Sequence, residues 1–176
     1  NTSSNDISVQ NSKNRTILLK ADYELPIGEK SKIEAGARYD ANKNDYDYEV
    51  TRSINGGTAA ILPLYTSLTT YDEKISAAYT QFKSKISDKI SYQLGLRVEN
   101  TNIDLSFDRA DGLNKQVPKD YTNVFPTVFL SYDISKNNQF LLNYTERIRR
   151  PRSFFLIPFM SLNNNRNLFV GNPDLN

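Results

Sequence analysis

The feature that most constrains this chain is an alternation of apolar and polar residues that recurs along most of its length. Side chains of a β-strand point alternately to opposite faces, so this period predicts strands with one apolar and one wet face. Turn-forming residues at 26–31, 87–89 and 135–138 join the alternating runs into hairpins. Six strands are predicted, at about residues 15–25, 32–47, 71–86, 89–107, 121–134 and 139–150.

These strands are too long for an ordinary sandwich and long enough to cross a bilayer. All but the longest span roughly 11 to 16 residues, against about 5–6 for a typical globular strand and about 9–11 for a tilted membrane strand. Short turns alternate with long connections near 48–71 and 108–119, as periplasmic turns and extracellular loops do in outer-membrane barrels. We therefore predict an all-β fold, an antiparallel up-and-down meander that forms part of a larger transmembrane outer-membrane β-barrel. A soluble sandwich or lipocalin-like binder is the alternative, and the long strands disfavour it.

The apolar phase is predicted to face lipid, with Leu94, Leu96 and Leu130 in the hydrocarbon layer. Tyrosines on that phase are expected to form an interfacial girdle: Tyr23, Tyr39, Tyr79, Tyr92, Tyr132 and Tyr144. Beyond Asn100 the apolar residues change phase, to Ile103, Leu105 and Phe107, which predicts a β-bulge. The segments around Gly36 and Gly95 share the order glycine, apolar, arginine, apolar, acid, which indicates a hairpin unit that recurs.

The two ends predict that residues 1–176 are an internal segment of the barrel. With the short turns on the periplasmic side, residues 1–14 become an extracellular loop and residues 151–176 an extracellular tail. Complete barrels normally begin and end on the periplasmic side and have at least about eight strands. Six strands alone would leave unpaired edges in lipid, and the final residues, GNPDLN, resemble the approach to a further strand.

Composition excludes several other functions. Lys+Arg is 22 and Asp+Glu is 20, so no basic surface for nucleic acid is expected. The chain has neither His nor Cys, which removes the usual general base, thiolate chemistry and the most common metal ligands. No enzyme activity and no cofactor are expected. The carboxylates at 40–49 and the asparagines at 163–167 could in principle bind a metal, although a solvated surface is favoured for both.

Charged residues on the polar phase are the first candidates for contact with a plug or a passing solute. They are Lys20, Asp22, Glu34, Arg38, Arg97, Glu99 and Arg147, all predicted to face the lumen. The alternative, which lumen chemistry favours, is a network of wall charges that pair with one another and with water.

The predicted loops and tail supply a second group of candidates. Arg149 and Arg150 could bind an anionic group of a solute or of lipopolysaccharide, or could pair with loop carboxylates where Pro151 ends the strand. Apolar and aromatic residues could bind a partner or an apolar ligand, or fold back into the barrel mouth. They are Ile61, Leu62, Leu64, Tyr65, Phe154, Phe155 and Phe159.

The end of the chain, NYTERIRRPRSFFLIPF…VGNPDL, resembles the TonB-dependent-receptor-like outer-membrane barrels common in Bacteroidetes. The matching residues are Tyr144, Arg147, Arg150, Pro151, Leu156, Pro158, Phe159, Gly171, Asn172, Pro173 and Leu175. The resemblance implies the outer membrane of a Gram-negative bacterium, contact with its lipid, and nutrient uptake by a receptor or transporter. It also implies a plug domain and a TonB-type energy transducer, neither of which these residues contain. The alternative is a non-transporting barrel with a structural, assembly or docking role, whose partner is a surface lipoprotein or another barrel.

Overall fold

A computed structural model describes residues 2–150, 153–157, 160–164 and 167–172. Nine β-strands lie within these residues, together with a short 3₁₀ turn at Pro63–Tyr65 and a four-residue helix, α1, at Ser153–Leu156. The strands are β1 Ser4–Ile27, β2 Ser31–Ile54, β3 Ala60–Ile61, β4 Ser67–Lys85, β5 Ile90–Arg109, β6 Asn114–Ser135, β7 Asn138–Thr145, β8 Met160–Asn164 and β9 Asn167–Val170. No helix in the described part is long and apolar enough to cross a membrane.

Six long strands form one antiparallel meander, in the order β1-β2-β4-β5-β6-β7, which curls into a half-barrel. Each long strand pairs with its neighbours in that order, and the two-residue β3 adds only a short pairing to the end of β2. Strands β8 and β9 form a separate hairpin. The predicted fold class is therefore confirmed. We call the end with the turns at 28–30, 86–89 and 136–137 the short-turn end, and the opposite end the loop end.

Several predicted boundaries were wrong because the strands extend further toward the loop end. Residues 4–14, predicted as loop, belong to β1, and residues 48–54 belong to β2. The predicted loop at 108–119 is a tight turn at 110–113 between β5 and β6. Conversely, β7 ends at Thr145 rather than near residue 150. The inner positions of β1 between residues 4 and 14 are polar, and in β2 the apolar Tyr48 and Val50 lie on the inner face, so these strand ends lack the continuous outer apolar stripe by which strands are predicted.

The predicted bulge after Asn100 was also wrong. β5 pairs without interruption with β4 and with β6 across that point, so its side chains keep the same alternation throughout. Ile103, Leu105 and Phe107 therefore lie on the same inner face as Arg97 and Glu99. The polarity of the two faces changes along the strand, while the register does not.

The outer face carries an apolar band toward the short-turn end. On β1 the band runs from Ile17 to Ile27, and on β5 it includes the exposed Leu94 and Leu96. Ten residues of strand span about 33 Å, which at a tilt of about 40° gives a height of about 25 Å, the height of the lipid-facing band in outer-membrane barrels. Leu130 lies in the same band, opposite Tyr92 and Leu142.

The inner face becomes apolar where the outer face becomes polar. Toward the loop end, one cluster of buried residues lines the inside of the wall: Tyr48, Val50, Tyr71, Ile103, Leu105 and Phe107, joined by Leu156 and Ile157 from the segment after β7. On the outer face at this level the neighbouring strands present residues such as Lys43, Asp72 and Asp104. The wall thus extends past the apolar band and buries its apolar residues inward.

Candidate functional site

At the level of the apolar band, the inner face carries cations and anions that pair along the same strand. In four pairs the partners lie two residues apart, which places them side by side on one face. The pairs are Lys20–Asp22 at 2.7 Å, Lys32–Glu34 at 2.8 Å, Arg38–Asp40 at 2.6 Å and Arg97–Glu99 at 2.5 Å. Lys83 also reaches Glu34, at 2.8 Å. The cation of each pair is partly exposed, so these pairs add little to stability, but they give this stretch of the interior a hydrophilic lining.

Tyr79 corrects one part of the predicted girdle. It lies on the inner face, opposite Gly36, and its hydroxyl donates a hydrogen bond to Asp22. The ring lies over the glycine so closely that a Cβ on Gly36 would be 2.6 Å from it. The other predicted girdle tyrosines alternate with inner-face residues and lie on the outer face, Tyr23 and Tyr144 being strongly exposed.

Glu99 joins the wall to the segment that follows β7. It is 8% exposed and accepts hydrogen bonds from Arg97 Nε at 2.5 Å and from Arg150 Nη2 at 2.6 Å. Arg150 Nη2 also donates to Thr101 Oγ1 at 3.0 Å. The pairing of β6 with β7 ends at Thr127 and Thr145, and one further backbone hydrogen bond joins the Glu146 N–H to the Pro126 carbonyl at 3.4 Å, so the chain is free to turn inward after Glu146. The Arg150 contacts therefore hold the end of this segment against the inside of β5.

The same segment continues into the inner apolar cluster. Leu156 and Ile157 are buried there, against residues of β2, β4 and β5. Gly171 lies so close to the Ile157 carbonyl group that there is no room for a Cβ, and the Asn172 N–H donates to the Phe155 carbonyl at 2.8 Å. We call residues 146–150 and 153–157 the inward segment, because Arg150, Leu156 and Ile157 pack on the inner surface of the wall.

A cavity of about 640 Å³ lies between the inward segment and the loop-end half of β5 and β6. Its walls include Ile103, Tyr121, Asn123, Arg149, Arg150 and Leu156. Two residues of this wall have a side-chain donor that is buried within the protein and has no hydrogen-bond partner, Asn123 Nδ2 and Arg150 Nε. The sequence pattern singles out Arg149 and Arg150 but misses the other four as site residues, since nothing in it indicates which strand the inward segment meets.

The structure separates the predicted site residues into groups. Lys20, Asp22, Glu34, Arg38, Arg97 and Glu99 lie on the inner face. Arg147 lies beyond the end of β7 and is exposed, as is Arg149. Ile61, Leu64 and Phe155 are exposed, whereas Leu62 and Tyr65 pack against the inner cluster. Of Phe154 only the backbone, in α1, is described, and Phe159 lies outside the described residues.

Three acidic groups beyond the apolar band have shifted pKa values. Burial raises the pKa of Tyr71, whose hydroxyl donates to Glu73 at 3.2 Å. Hydrogen bonds from Arg52 and from Arg109 lower the pKa values of Asp6 and Asp111, respectively. None of the three lies at the cavity, so they bear on the stability of the loop end rather than on binding. The carboxylates at 40–49 are divided between the two faces, and no group of acidic residues among those described could hold a metal ion.

A meander with an apolar belt outside and paired charges inside defines the class of transmembrane β-barrel proteins. The model of the Outer membrane protein beta-barrel family matches residues 1–176, and the chain belongs to that family. Its location is therefore the outer membrane of a Gram-negative bacterium, as predicted. A comparison with curated proteins found no match. The finer resemblance to TonB-dependent-receptor-like barrels stays a prediction.

Proposed function

We propose that the chain forms part of the barrel wall of a TonB-dependent-type receptor and transporter for nutrient uptake. The observation that supports this most directly is the inward segment, which leaves the wall after β7 and packs on its inner surface. There it combines a charged contact, Arg150 to Glu99, with buried apolar residues and an adjoining cavity. An interior shaped in this way suits a protein that binds a solute before passing it on.

The hydrophilic lining of the inner face, which lies on the short-turn side of the cavity, supports the same proposal. The inner face at the level of the lipid-facing band carries charge pairs and amides, so a polar solute or a polar plug domain would meet hydrogen-bonding partners there. In the proposed mechanism a solute binds at the loop end, and an energy transducer acting through a separate plug opens the way past this lining. The plug and the transducer are partners that the resemblance implies. The proposed role is not catalytic.

The alternative, a barrel whose loops dock a lipoprotein or another barrel, has less support. Docking of a partner would need an exposed apolar patch at 61–65. Leu62 and Tyr65 instead pack against the inner cluster, so that within this stretch the exposed large apolar side chains are Ile61 and Leu64. Two separate side chains do not form the contiguous patch that docking surfaces usually have. We therefore do not adopt it.

Transport can be tested even though the solute is unidentified. The parent strain, a strain lacking this protein and a strain lacking the TonB-type transducer would be grown in the same complex medium. Mass spectrometry would then follow the depletion of each solute from the medium. We expect at least one solute to be depleted by the parent strain and spared by both mutants, with restoration on complementation. If the strain lacking this protein depletes every solute at the parental rate, the proposal is wrong.

A further inference from the structure

The outer face of the wall changes from apolar to basic at the loop-end border of the apolar band. On β1 the outer side chain after Ile17 is Arg15, and the next is Lys13. On β2 the residue directly opposite Arg15 is Lys43, and on β4 Lys74 lies level with Ile17. All four cations are exposed. We call Lys13, Arg15, Lys43 and Lys74 the basic patch.

The basic patch lies at the level expected for lipid headgroups. Arg15 follows Ile17 by two residues, which at the usual strand tilt is about 5 Å of height, and a headgroup layer is about 5–7 Å deep. On β2 the outer side chains run in the order Tyr39, Ala41 and Lys43, and tyrosine is enriched at the border between hydrocarbon and headgroups. Both strands therefore pass from hydrocarbon into the headgroup layer at the basic patch.

The loop end has the features of the cell-surface end of an outer-membrane barrel. The wall extends past the apolar band on this side only, and a long connection joins β2 to β4 there. The leaflet that meets the basic patch is then the outer one, in which lipid A carries phosphate groups on its sugar headgroup. A phosphate at this level would come within reach of the patch.

Most of the positive charge in the basic patch has no partner within the protein. Arg15 and Lys43 are directly opposite, where Cβ atoms lie about 5 Å apart and like charges repel. Among the residues that the structure describes, Lys13, Arg15 and Lys43 form no ion pair. Lys74 contacts the Asp72 carboxylate at 3.7 Å. A bound anion would therefore relieve repulsion that the fold leaves in place.

The carboxylates around the basic patch are too few at its level to neutralise it. Two lie level with it on β1, β2 and β4, Asp45 and Asp72, and Asp45 already accepts a hydrogen bond from Thr70 at 2.9 Å. Other carboxylates lie to either side of the patch: Asp47 is further from the apolar band, and Asp104 is on β5. Two of the four positive charges therefore have no counterpart at the level of the headgroups.

We propose that the basic patch binds a phosphate group of lipid A in the outer leaflet. The acyl chains lie along the apolar outer side chains of β1, such as Ile17 and Leu19. Arg15 donates to the phosphate oxygens, because a guanidinium group matches them in a two-pronged contact, and the ammonium groups of Lys13 and Lys43 add charge beside it. The proposal concerns the lipid around the barrel and does not depend on transport.

Native mass spectrometry of the full protein in mixed detergent micelles tests this directly. The probes are diphosphoryl lipid A, the same lipid A stripped of its phosphates, and phosphatidylglycerol. We expect at least one diphosphoryl lipid A to stay bound to each protein, and the other two lipids to bind at least about tenfold more weakly. Equal binding of either one would overturn the proposal. Displacement of the lipid by 10 mM inorganic phosphate would also overturn it, since the patch would then be a site for free anions.

Two double variants that lose the same charge separate a specific site from general attraction. Arg15→Gln with Lys43→Gln should weaken the binding of diphosphoryl lipid A about tenfold or more. Lys89→Gln with Lys136→Gln removes two exposed cations from the short-turn end and should change that binding less than about twofold. Equal weakening by the two double variants would contradict the proposal.

Melting temperatures distinguish lost binding from lost folding. In micelles without lipid A, the variant with Arg15→Gln and Lys43→Gln should melt at the parental temperature or above it, because repulsion between the two cations is removed. Diphosphoryl lipid A should raise the melting temperature of the parent protein and leave that of the variant unchanged. If lipid A stabilises both proteins equally, its phosphate is bound elsewhere and the proposal is wrong.

Discussion

The two halves of β5 share one register but have opposite polarity. From Ile90 to Val98 the outer side chains are apolar and the inner ones polar, as in Leu94 against Arg97. From Asn100 to Asp108 the outer side chains are polar, whereas Ile103 and Phe107 are buried inside. The difference shows that the polarity of each face of a barrel strand depends on the medium outside the wall. Where that medium is water, the apolar side chains of β5 lie on the inner face, and they are buried there by Leu156 and Ile157 of the inward segment.

The largest effect on stability is expected when a side chain of the inner apolar cluster, in the loop-end half, is truncated. Phe107 is 1% exposed, so Phe107→Ala should lower the free energy of unfolding by about 3–5 kcal/mol through lost burial and a cavity. Phe82 is its control, because it lies on the lipid side, where its ring contacts that of Tyr92 at 5.9 Å between centroids. Phe82→Ala should cost about 0.5–1.5 kcal/mol, since lipid chains can fill the space. Urea unfolding in micelles measures both, and equal costs would contradict the comparison.

The second-largest effect is expected from a charge placed on the outer face, whose cost in stability should differ between the lipid-facing half and the loop-end half of the wall. Leu94→Arg should cost about 2–4 kcal/mol, because the guanidinium enters the hydrocarbon layer. Leu68 is also exposed on the outer face, somewhat more than Leu94, but it lies between Asp47 and Asp108 in the polar half, so Leu68→Arg should change stability by less than about 0.5 kcal/mol. Reversible folding into lipid vesicles is the measurement. A cost for Leu68→Arg as large as that for Leu94→Arg would mean that the apolar band extends to the loop end.

The two glycines of the repeated hairpin unit provide a third, smaller contrast. At Gly36 a Cβ would be 2.6 Å from both the Tyr79 ring and the Asp22 carboxylate. Gly36→Ala should therefore lower the free energy of unfolding by about 1–3 kcal/mol and displace the hydrogen bond from the Tyr79 hydroxyl to Asp22. At Gly95 the nearest atom would be at 3.4 Å, an ordinary contact, and Gly95→Ala should be neutral or stabilise by up to about 1 kcal/mol. Similar melting temperatures for the two variants would show that the position of the Tyr79 ring does not require a glycine at residue 36.

The alternation of apolar and polar residues predicts the strands well where the outer face meets lipid. It predicts them poorly toward the loop end, where the outer face meets water and the inner face packs against protein. The strands around Leu94 and Leu130 follow from their apolar stripe, and the inner position of Arg97 and Glu99 follows from the same alternation. At Ile103 to Phe107 the stripe moves to the inner face, which looks in sequence like a slip of one residue. Only pairing with β4 and β6 shows that no slip occurs.

The candidate site is less predictable, because its parts are far apart in the sequence. Arg150 and Glu99 are separated by 51 residues and meet only because the chain turns inward after Thr145. The spacing of cation and anion by two residues, as in Arg38 and Asp40, is visible in the sequence and indicates that these charges pair along their strands. No comparable local pattern marks Asn123 or Tyr121 as neighbours of Arg150.

The smallest predicted effect concerns the turn between β5 and β6, where the same two-residue spacing occurs in open water. Arg109 donates to Asp111 at 2.8 Å and lowers its pKa, and Asp111 accepts from the Leu113 N–H at 3.3 Å. Because the pKa is lower in the folded state, this contribution is complete above about pH 4, the value of a free carboxyl group, and is lost as the pH falls through the lowered value. Hydrogen exchange at Leu113, corrected for its intrinsic pH dependence, should therefore lose protection only on acidification. Asp111→Asn should abolish that pH dependence, and protection that falls equally in both proteins would assign it to another group. The inner pair of Arg97 with Glu99 has a second partner in Arg150, so its loss should affect the whole inward segment rather than one turn.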